Sequence, residues 1–184
     1  MITETDLVHL ARAVALAAEA VDAGDEPFGS VLVGEDGAVL SEDRNRIHTT
    51  GDGTRHPEFT LARWSAENMT PEARAKATVY TSGEHCPMCA AAHGWVGLGR
   101  IVYASSSEQL GQWLKDMALP EASVKRIAIE EIVRQPDDSG GVSKVAEPSS
   151  TKTLVMVPSQ ISSLSLSRMT SSASSRLCSA RAAS

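Results

Sequence analysis

The 184-residue sequence lacks three features that would each point to a particular class of protein. It has no run of 18 apolar residues, so we predict no transmembrane helix. Its first six residues include two acidic side chains and no basic one, whereas a signal peptide begins with positive charge. The net charge is −6 and no basic stripe stands out, which argues against intrinsic affinity for nucleic acid backbones. We therefore expect a cytoplasmic protein that acts on a small substrate.

Cysteines are also few. Three of them do not make a disulfide framework, but two lie at metal-ligand spacing in Cys86-Pro87-Met88-Cys89. Two thiolates at the start of a helix can face one ion, and His56, about thirty residues upstream, offers an imidazole as a third ligand. The spacing predicts a zinc ion bound by His56, Cys86 and Cys89, with a fourth coordination position open.

The carboxylate of Glu58 is the candidate proton carrier beside the open zinc position. A zinc ion with three protein ligands keeps a water and lowers its pKa towards neutrality. Glu58 follows His56 by two residues, so it can reach that water without being a ligand. His-x-Glu followed by Cys-x-x-Cys is typical of zinc deaminases of bases and nucleosides. We predict that Glu58 is the catalytic proton carrier.

Simpler explanations of these residues exist. A structural zinc site would close with a fourth protein ligand. His85 adjoins Cys86, but neighbouring side chains rarely converge on one ion, and Cys178 lies in a serine-rich stretch. Glu58 could instead stabilise a helix N-terminus, where carboxylates are favoured. These alternatives leave catalytic zinc as the preferred interpretation.

The order of apolar and turn-forming residues predicts an α/β sandwich, with a first antiparallel strand pair and later parallel strands. The first helix begins at Thr5 or Asp6 and ends at Gly24. A polar loop is predicted at residues 44–55. The other predicted helices cover residues 57–68, 86–95 and 107–118, and the predicted strands cover residues 28–33, 38–43, 77–81, 100–104 and 127–133.

Composition changes sharply near residue 135. Residues 136–184 hold 15 of the 23 serines and no aromatic residue, which is typical of a disordered or loosely attached tail. They carry five Lys or Arg and three Asp or Glu, so residues 1–135 carry a net charge of −8. We predict a catalytic domain at residues 1–135 and a separate serine-rich tail at 136–184.

Three runs of sequence together resemble one protein family: Pro27 to Val33, Thr54 to Glu58, and Thr81 to Ala90. They are similar to the cytidine deaminase-like superfamily, nearest its guanine deaminase and tRNA adenosine deaminase branch. The resemblance covers about residues 5–132. It implies a three-layer α/β/α sandwich around a mixed five-stranded sheet, a catalytic zinc ion, and a homodimer or larger assembly.

The resemblance also implies substrate contacts. Asn45 would hydrogen-bond the substrate ring, and Phe28 and Trp95 would line the base pocket. From the residues alone, an asparagine in a loop indicates a turn, and the two aromatic residues indicate core positions. His93, one helical turn beyond Cys89, is a weaker candidate to flank the site.

Two residues depart from the family pattern. Pro57 stands where alanine is common, and proline has no backbone N–H to donate to a substrate. His85 stands where proline is common, directly before the first cysteine. We therefore expect Pro57 and His85 to influence substrate choice.

The sequence predicts hydrolytic deamination of a free nucleobase or nucleoside, guanine-like by the nearest branch, with release of ammonia. The alternatives are a tRNA adenosine deaminase and a deaminase of cytosine, cytidine or a triazine. Editing of tRNA would need a basic surface, and the net charge of −8 in residues 1–135 argues against one. A non-enzymatic zinc module would have no use for Glu58.

Overall fold

The computed structural model describes residues 2–134 and the backbone of residues 142–144. A mixed five-stranded sheet lies at the centre of the fold. The strands lie in the order β2-β1-β3-β4-β5. β1 is antiparallel to β2 and β3, whereas β3, β4 and β5 are parallel. This confirms the predicted class and strand directions. The strands are β1 (Gly29–Val33), β2 (Val39–Arg44), β3 (Thr78–Gly83), β4 (Arg100–Ser105) and β5 (Val142–Lys144).

Seven helices accompany the strands within the described residues. They are α1 (Glu4–Asp22), α2 (Ile47–Thr50), α3 (Pro57–Asn68), α4 (Pro71–Lys76), α5 (Pro87–Val96), α6 (Ser107–Asp116) and α7 (Ile129–Ile132). The predictions for α3, α5 and α6 are confirmed to within two residues. The first helix starts earlier than predicted because Thr3 is its N-cap, with Asp6 completing a capping box. The predicted loop at residues 44–55 contains the one-turn helix α2.

Helices cover both faces of the sheet. Successive side chains of a strand point to opposite faces, so β1 contributes Val31 and Val33 to one side and Leu32 to the other. α1 packs against the first face, whereas α3 and α5 lie on the second. The resulting α/β/α layers confirm the fold that the resemblance implied. The cluster under α1 contains Leu10, Ala13, Leu16, Val31, Val33, Tyr80 and Val102.

The predicted fifth strand at residues 127–133 is wrong. Ile129–Ile132 form the short helix α7, and Ile129, Ile132 and Val133 pack towards α5 and β4 at helical spacing. The backbone N–H of Ile129 donates to the Glu84 carboxylate at 2.8 Å, which satisfies one free N–H at the start of this helix. The fifth strand of the sheet is instead β5, Val142–Lys144.

Most of the predicted serine-rich tail, residues 136–184, lies outside the described residues. Its three described residues form β5, which pairs with β4. In the part of the chain that the structure describes, no helix is both long enough and apolar enough to cross a membrane.

At Gly29 the strand β1 lies close against α1. A Cβ added there would lie 2.5 Å from the Ala13 carbonyl oxygen and 2.5 Å from Leu16 Cβ. We expect Gly29→Ala to lower the free energy of unfolding by about 1–3 kcal/mol, because helix and sheet must separate to admit the methyl group. Urea denaturation measures the change. Gly53→Ala is the control, since an added Cβ there meets no atom within 4 Å. Equal stability of both variants would contradict the close packing.

Candidate active site

The start of two helices brings the predicted metal ligands together. His56 is the N-cap of α3 and is followed by Pro57 at the first helical position, where a missing N–H costs little. Cys86 is the N-cap of α5, and Cys89 lies in its first turn. Because α3 and α5 pack side by side on one face of the sheet, their N-termini converge. Ligands thirty residues apart in sequence therefore meet.

Two of the three distances among the donor atoms match those of a zinc site, and the third is at most 4.8 Å. The ligand atoms of His56, Cys86 and Cys89 all lie within 4.8 Å of one another. The Cys86 Sγ is 3.6 Å from His56 Nδ1 and 3.5 Å from Cys89 Sγ. A tetrahedral zinc site with Zn–N and Zn–S bonds of about 2.0–2.3 Å has donor separations of about 3.4–3.8 Å. Two thiolates and an imidazole at these distances can hold zinc with one coordination position free.

The electrostatics of the three ligands also favour a cation. The neighbouring Cys89 sulfur and the His56 ring outweigh burial and lower the pKa of the Cys86 thiol to about 4. For the Cys89 thiol the effect is opposite: its contact with Cys86, together with burial, raises its pKa. Contact with Cys86 raises the pKa of His56. Without metal the cluster therefore holds protons that zinc must displace, so zinc binding is expected to release protons.

Glu58 lies beside this cluster and is 6% exposed. Its Oε2 is 3.6 Å from Cys89 Sγ, on the side of the metal ligands. Its Oε1 faces the sheet and accepts hydrogen bonds from Thr81 Oγ1 at 2.8 Å and Ser30 Oγ at 3.1 Å. Burial raises the pKa of the Glu58 carboxyl despite these hydrogen bonds. A carboxyl with a raised pKa at such a place is suited to taking up and releasing a proton.

Asn45 and Phe28 lie together, directly after β2 and directly before β1. The backbone N–H of Asn45 donates to the Phe28 carbonyl at 2.9 Å. The Phe28 ring packs over Gly83, where an added Cβ would lie 3.1 Å from Phe28 Cε1. Phe28 is two residues from Ser30, whose hydroxyl contacts Glu58.

Asn45 has a free donor in a buried position. Its side chain is 0% exposed, and its Oδ1 accepts the backbone N–H of Ile47 at 3.0 Å, which fixes the orientation of the amide. The Nδ2 then has no hydrogen-bond partner among the described residues. A buried donor without a partner costs about 1–3 kcal/mol. A ligand that offers an acceptor at this point would recover that cost.

His85 lies inside the protein, next to Cys86, and is 1% exposed. Its ring meets the buried His93 ring edge to face, with centroids 5.4 Å apart. Burial, with His93 beside it, lowers the pKa of His85 well below its ordinary value, so His85 is neutral at pH 7. His93 Nε2 is anchored 2.9 Å from the Gly99 carbonyl. The structure thus places both histidines in the protein interior.

Two other predicted substrate contacts lie at different distances from the ligands. Pro57 is buried at the first position of α3, between His56 and Glu58. Trp95 is nine residues along α5 from Cys86, about 13 Å at 1.5 Å per residue, and its side chain is 90% exposed. The structure does not bring Trp95 to the ligands.

Sequence reasoning missed the residues that support Glu58 and the loops. Ser30 was one residue of a predicted buried strand, and its hydroxyl within an otherwise apolar run was the only available signal. Glu84 joins the site to two helices: its Oε2 accepts from the backbone N–H of Ser107 at 2.7 Å, and its Oε1 accepts from Ile129. Glu84 lies two residues before Cys86, and the sequence gives no hint of this role, because the N–H groups that it accepts belong to the starts of two helices distant in the sequence.

Comparison with known proteins agrees with this geometry. The family model described as the cytidine and deoxycytidylate deaminase zinc-binding region matches residues 3–105, which include all three ligands and Glu58. The chain belongs to this family. Its residues are 40% identical over 97 positions to a guanine deaminase of Bacillus subtilis, covering 52% of this chain and 62% of that protein.

Other relatives carry different substrate names. A probable cytosine deaminase of Schizosaccharomyces pombe is 35% identical over 109 residues, covering 59% of this chain and 65% of the relative. A tRNA-specific adenosine deaminase of Agrobacterium fabrum is 34% identical over 96 residues, covering 50% and 62%. The chain thus spans under two thirds of the length of these relatives.

A solved structure extends the match. The X-ray structure of the guanine deaminase from Bacillus subtilis superposes with a TM-score of 0.51 at 32% identity, covering 70% of this chain and 83% of that chain. The relatives support the fold and the superfamily branch that the sequence resembled. Their names differ in substrate, so they do not identify the substrate of this chain.

Proposed function

We propose that this protein is a zinc-dependent hydrolase that deaminates a free nucleobase or nucleoside, with a guanine-like base as the first choice. One observation carries the proposal: a buried carboxyl, Glu58, lies beside a three-ligand metal site without being one of the ligands. A structural zinc site has no need of such a group. A hydrolytic site needs one to move protons.

The residues of the chain divide the work. His56, Cys86 and Cys89 would hold zinc, which when bound supplies Lewis-acid activation of a water molecule at neutral pH. Glu58 would take one proton of the attacking water on Oε2, the oxygen that faces the ligands, and pass it to a ring nitrogen of the base as the water oxygen bonds to the amino-bearing carbon. It would then take the second proton from that oxygen and pass it to the amino group, so that the C–N bond breaks, ammonia leaves and a carbonyl remains.

Asn45 and Phe28 are the proposed recognition residues. The free Nδ2 of Asn45 would donate to a carbonyl oxygen or ring nitrogen of the base, and the Phe28 ring would pack against the base. Pro57 offers no N–H, so a base with an acceptor beside it gains no hydrogen bond there. The guanine deaminase and cytosine deaminase names of two relatives support a free base.

We expect Asn45→Asp to lower kcat/KM by about 5- to 30-fold, chiefly through KM, because a hydrogen bond of about 1–2 kcal/mol to the substrate is lost. Aspartate keeps the oxygen that accepts from Ile47, but it replaces the Nδ2 donor with an acceptor oxygen and introduces a buried negative charge. Steady-state kinetics measure the effect. Asn68→Ala is the control, because Asn68 is exposed and bonds only to its own helix. An unchanged KM in Asn45→Asp would remove Asn45 from recognition.

A second candidate is deamination of adenosine in tRNA, which the Agrobacterium fabrum relative favours by its name. Against it stands the net charge of −8 over residues 1–135, which repels a polyanion. The test is one panel, scored by ammonia release from zinc-loaded protein: guanine, cytosine, adenine and their nucleosides, and a tRNA transcript. Turnover of free bases supports the proposal, turnover of tRNA alone favours the second candidate, and no turnover at all refutes both.

A homodimer or larger assembly belongs to the same proposal. Trp95, 90% exposed on α5, is a large apolar side chain of the kind that contacts between protein chains cover. Light scattering after size exclusion measures the mass. A dimer that becomes monomeric in Trp95→Ser would support this assignment, and a monomeric unmodified protein would contradict it.

A further inference from the structure

Two hydroxyl groups in the middle of the sheet are aimed at Glu58. Ser30 of β1 and Thr81 of β3 are direct cross-strand partners, and both are 0% exposed. They lie on the face that packs against α3. Their oxygens are 2.9 Å apart, and each is within hydrogen-bond distance of the same carboxylate oxygen, Glu58 Oε1.

The surroundings explain why this pair matters. Every residue of β1 is buried, as are the last five of β3, so a hydroxyl there cannot turn to water. A buried hydroxyl without a partner is costly. Apart from a long 3.5 Å contact from Thr81 Oγ1 to the Gly29 carbonyl, the two hydroxyls have only each other and Glu58 as partners among the described residues. Their hydrogens are therefore used within the group of three side chains formed by Ser30, Thr81 and Glu58.

The number of hydroxyl hydrogens and the contact distances show which of the two residues is the main donor to Glu58. Each hydroxyl has a single hydrogen, so the three contacts among Ser30, Thr81 and Glu58 hold two hydrogen bonds at a time. The contact from Thr81 to Oε1 is the shortest at 2.8 Å, against 3.1 Å for Ser30. Thr81 is the main donor, and Ser30 either donates beside it or supports it through the 2.9 Å contact.

We propose that Ser30 and Thr81 are positioning residues that fix the orientation of the Glu58 carboxylate, so that its two oxygens have different roles. By holding Oε1 against the sheet, they leave Oε2 as the only oxygen that faces the metal ligands, where it lies 3.6 Å from Cys89 Sγ. The carboxylate then has one orientation for proton transfer. This inference rests on the proposed function, since an ordered proton carrier matters only if the site is catalytic.

The test uses Thr81→Val, which keeps the β-branched shape and removes the hydroxyl, together with Ser30→Ala and the double variant. We expect kcat to fall about 10-fold in Thr81→Val and about 100-fold in the double variant, because misplacement of a catalytic group by about 1 Å costs about that much. KM should change less than about threefold, and zinc content should stay at one per chain. The separate variant Thr81→Ser keeps a hydroxyl at this position, so its kcat should stay within about threefold of that of the unmodified protein.

A second readout separates positioning from a general structural effect. Crystal structures of the zinc-loaded double variant should show the Glu58 carboxylate rotated or split between conformers, whereas Thr81→Ser should keep its place. Ser65→Ala is the matched control, because Ser65 is a fully buried hydroxyl on the same helix as Glu58 that bonds only to Ala62. It should leave kcat unchanged.

Two results would overturn the inference: a double variant with kcat within twofold of the unmodified protein, or lowered kcat with the carboxylate in its original position. If the double variant does not fold, Ser30→Ala and Thr81→Val are judged singly by the same criteria. If the unmodified protein releases ammonia from no base, the proposed function fails. The carboxylate positions in the crystal structures still decide whether the hydroxyl pair orients Glu58.

Discussion

Glu58→Gln is expected to lower kcat by about 10²- to 10⁴-fold while the protein keeps its zinc, which is the range that general acid–base catalysis contributes. Glutamine has nearly the same shape, and its oxygen can still accept hydrogen bonds from Ser30 and Thr81. The three ligands are untouched. What the variant lacks is a group that takes up and releases a proton, so only the chemical step should suffer.

Zinc content and steady-state kinetics, measured on the same preparation, check this expectation. Glu67→Gln is the matched control: Glu67 is on the same helix, its side chain is 66% exposed, and its nearest cation, on Arg63, is 3.9 Å away. It should behave as the unmodified protein. If Glu58→Gln keeps more than half of the activity, Glu58 does not carry the proton. If it loses zinc, the loss of activity has a different cause.

Cys89→Ala should remove both zinc and turnover. Cys89 is buried in the first turn of α5, between Cys86 and Glu58, and two remaining ligands are too few to hold zinc tightly in a site of this kind. We expect less than about 0.1 zinc per chain after dialysis and a loss of activity of more than about 10³-fold, because water is no longer activated at neutral pH. Thermal stability should fall as well, since metal binding contributes to folding.

Cys178→Ala is the control for that experiment, because Cys178 is the third cysteine of the sequence and was not predicted to be a ligand. It should keep zinc and activity. Treatment of the unmodified protein with a chelator should abolish turnover, and added zinc should restore it. A Cys89→Ala protein that binds zinc at full stoichiometry would show that the ligand set is misassigned.

The metal ligands and Glu58 could be predicted because their information is local. Cys86 and Cys89 are three residues apart, and His56 and Glu58 are two apart, so each pair occupies one helix start whatever the rest of the chain does. Only the meeting of the two helix starts is non-local. The family pattern supplied that step, and the distance of 3.6 Å between Cys86 Sγ and His56 Nδ1 fits it.

The hydroxyl pair could not be predicted in this way. Ser30 and Thr81 are 51 residues apart, and they meet only because β1 and β3 pair in one particular register. A shift by one residue would turn either hydroxyl to the other face of the sheet. Strand pairing of this kind cannot be read from a single sequence, which shows only a serine and a threonine in two buried strands.

One other outcome has a similar cause. Residues 127–133 contain β-branched residues that favour a strand, yet Ile129–Ile132 form a helix because the distant Glu84 accepts the N–H of Ile129 and α5 receives its apolar face. Tertiary contacts outweigh local preference there.

The central claim, that water replaces an amino group at this site, is tested most directly by labelling. Zinc-loaded protein is incubated with guanine in H₂¹⁸O, the product is analysed by mass spectrometry and ammonia is measured in parallel. The account predicts xanthine with one ¹⁸O atom and one ammonia per molecule, with xanthine alone as the control for exchange. Guanine that stays intact, together with no ammonia from any other aminated base in the panel, would contradict it.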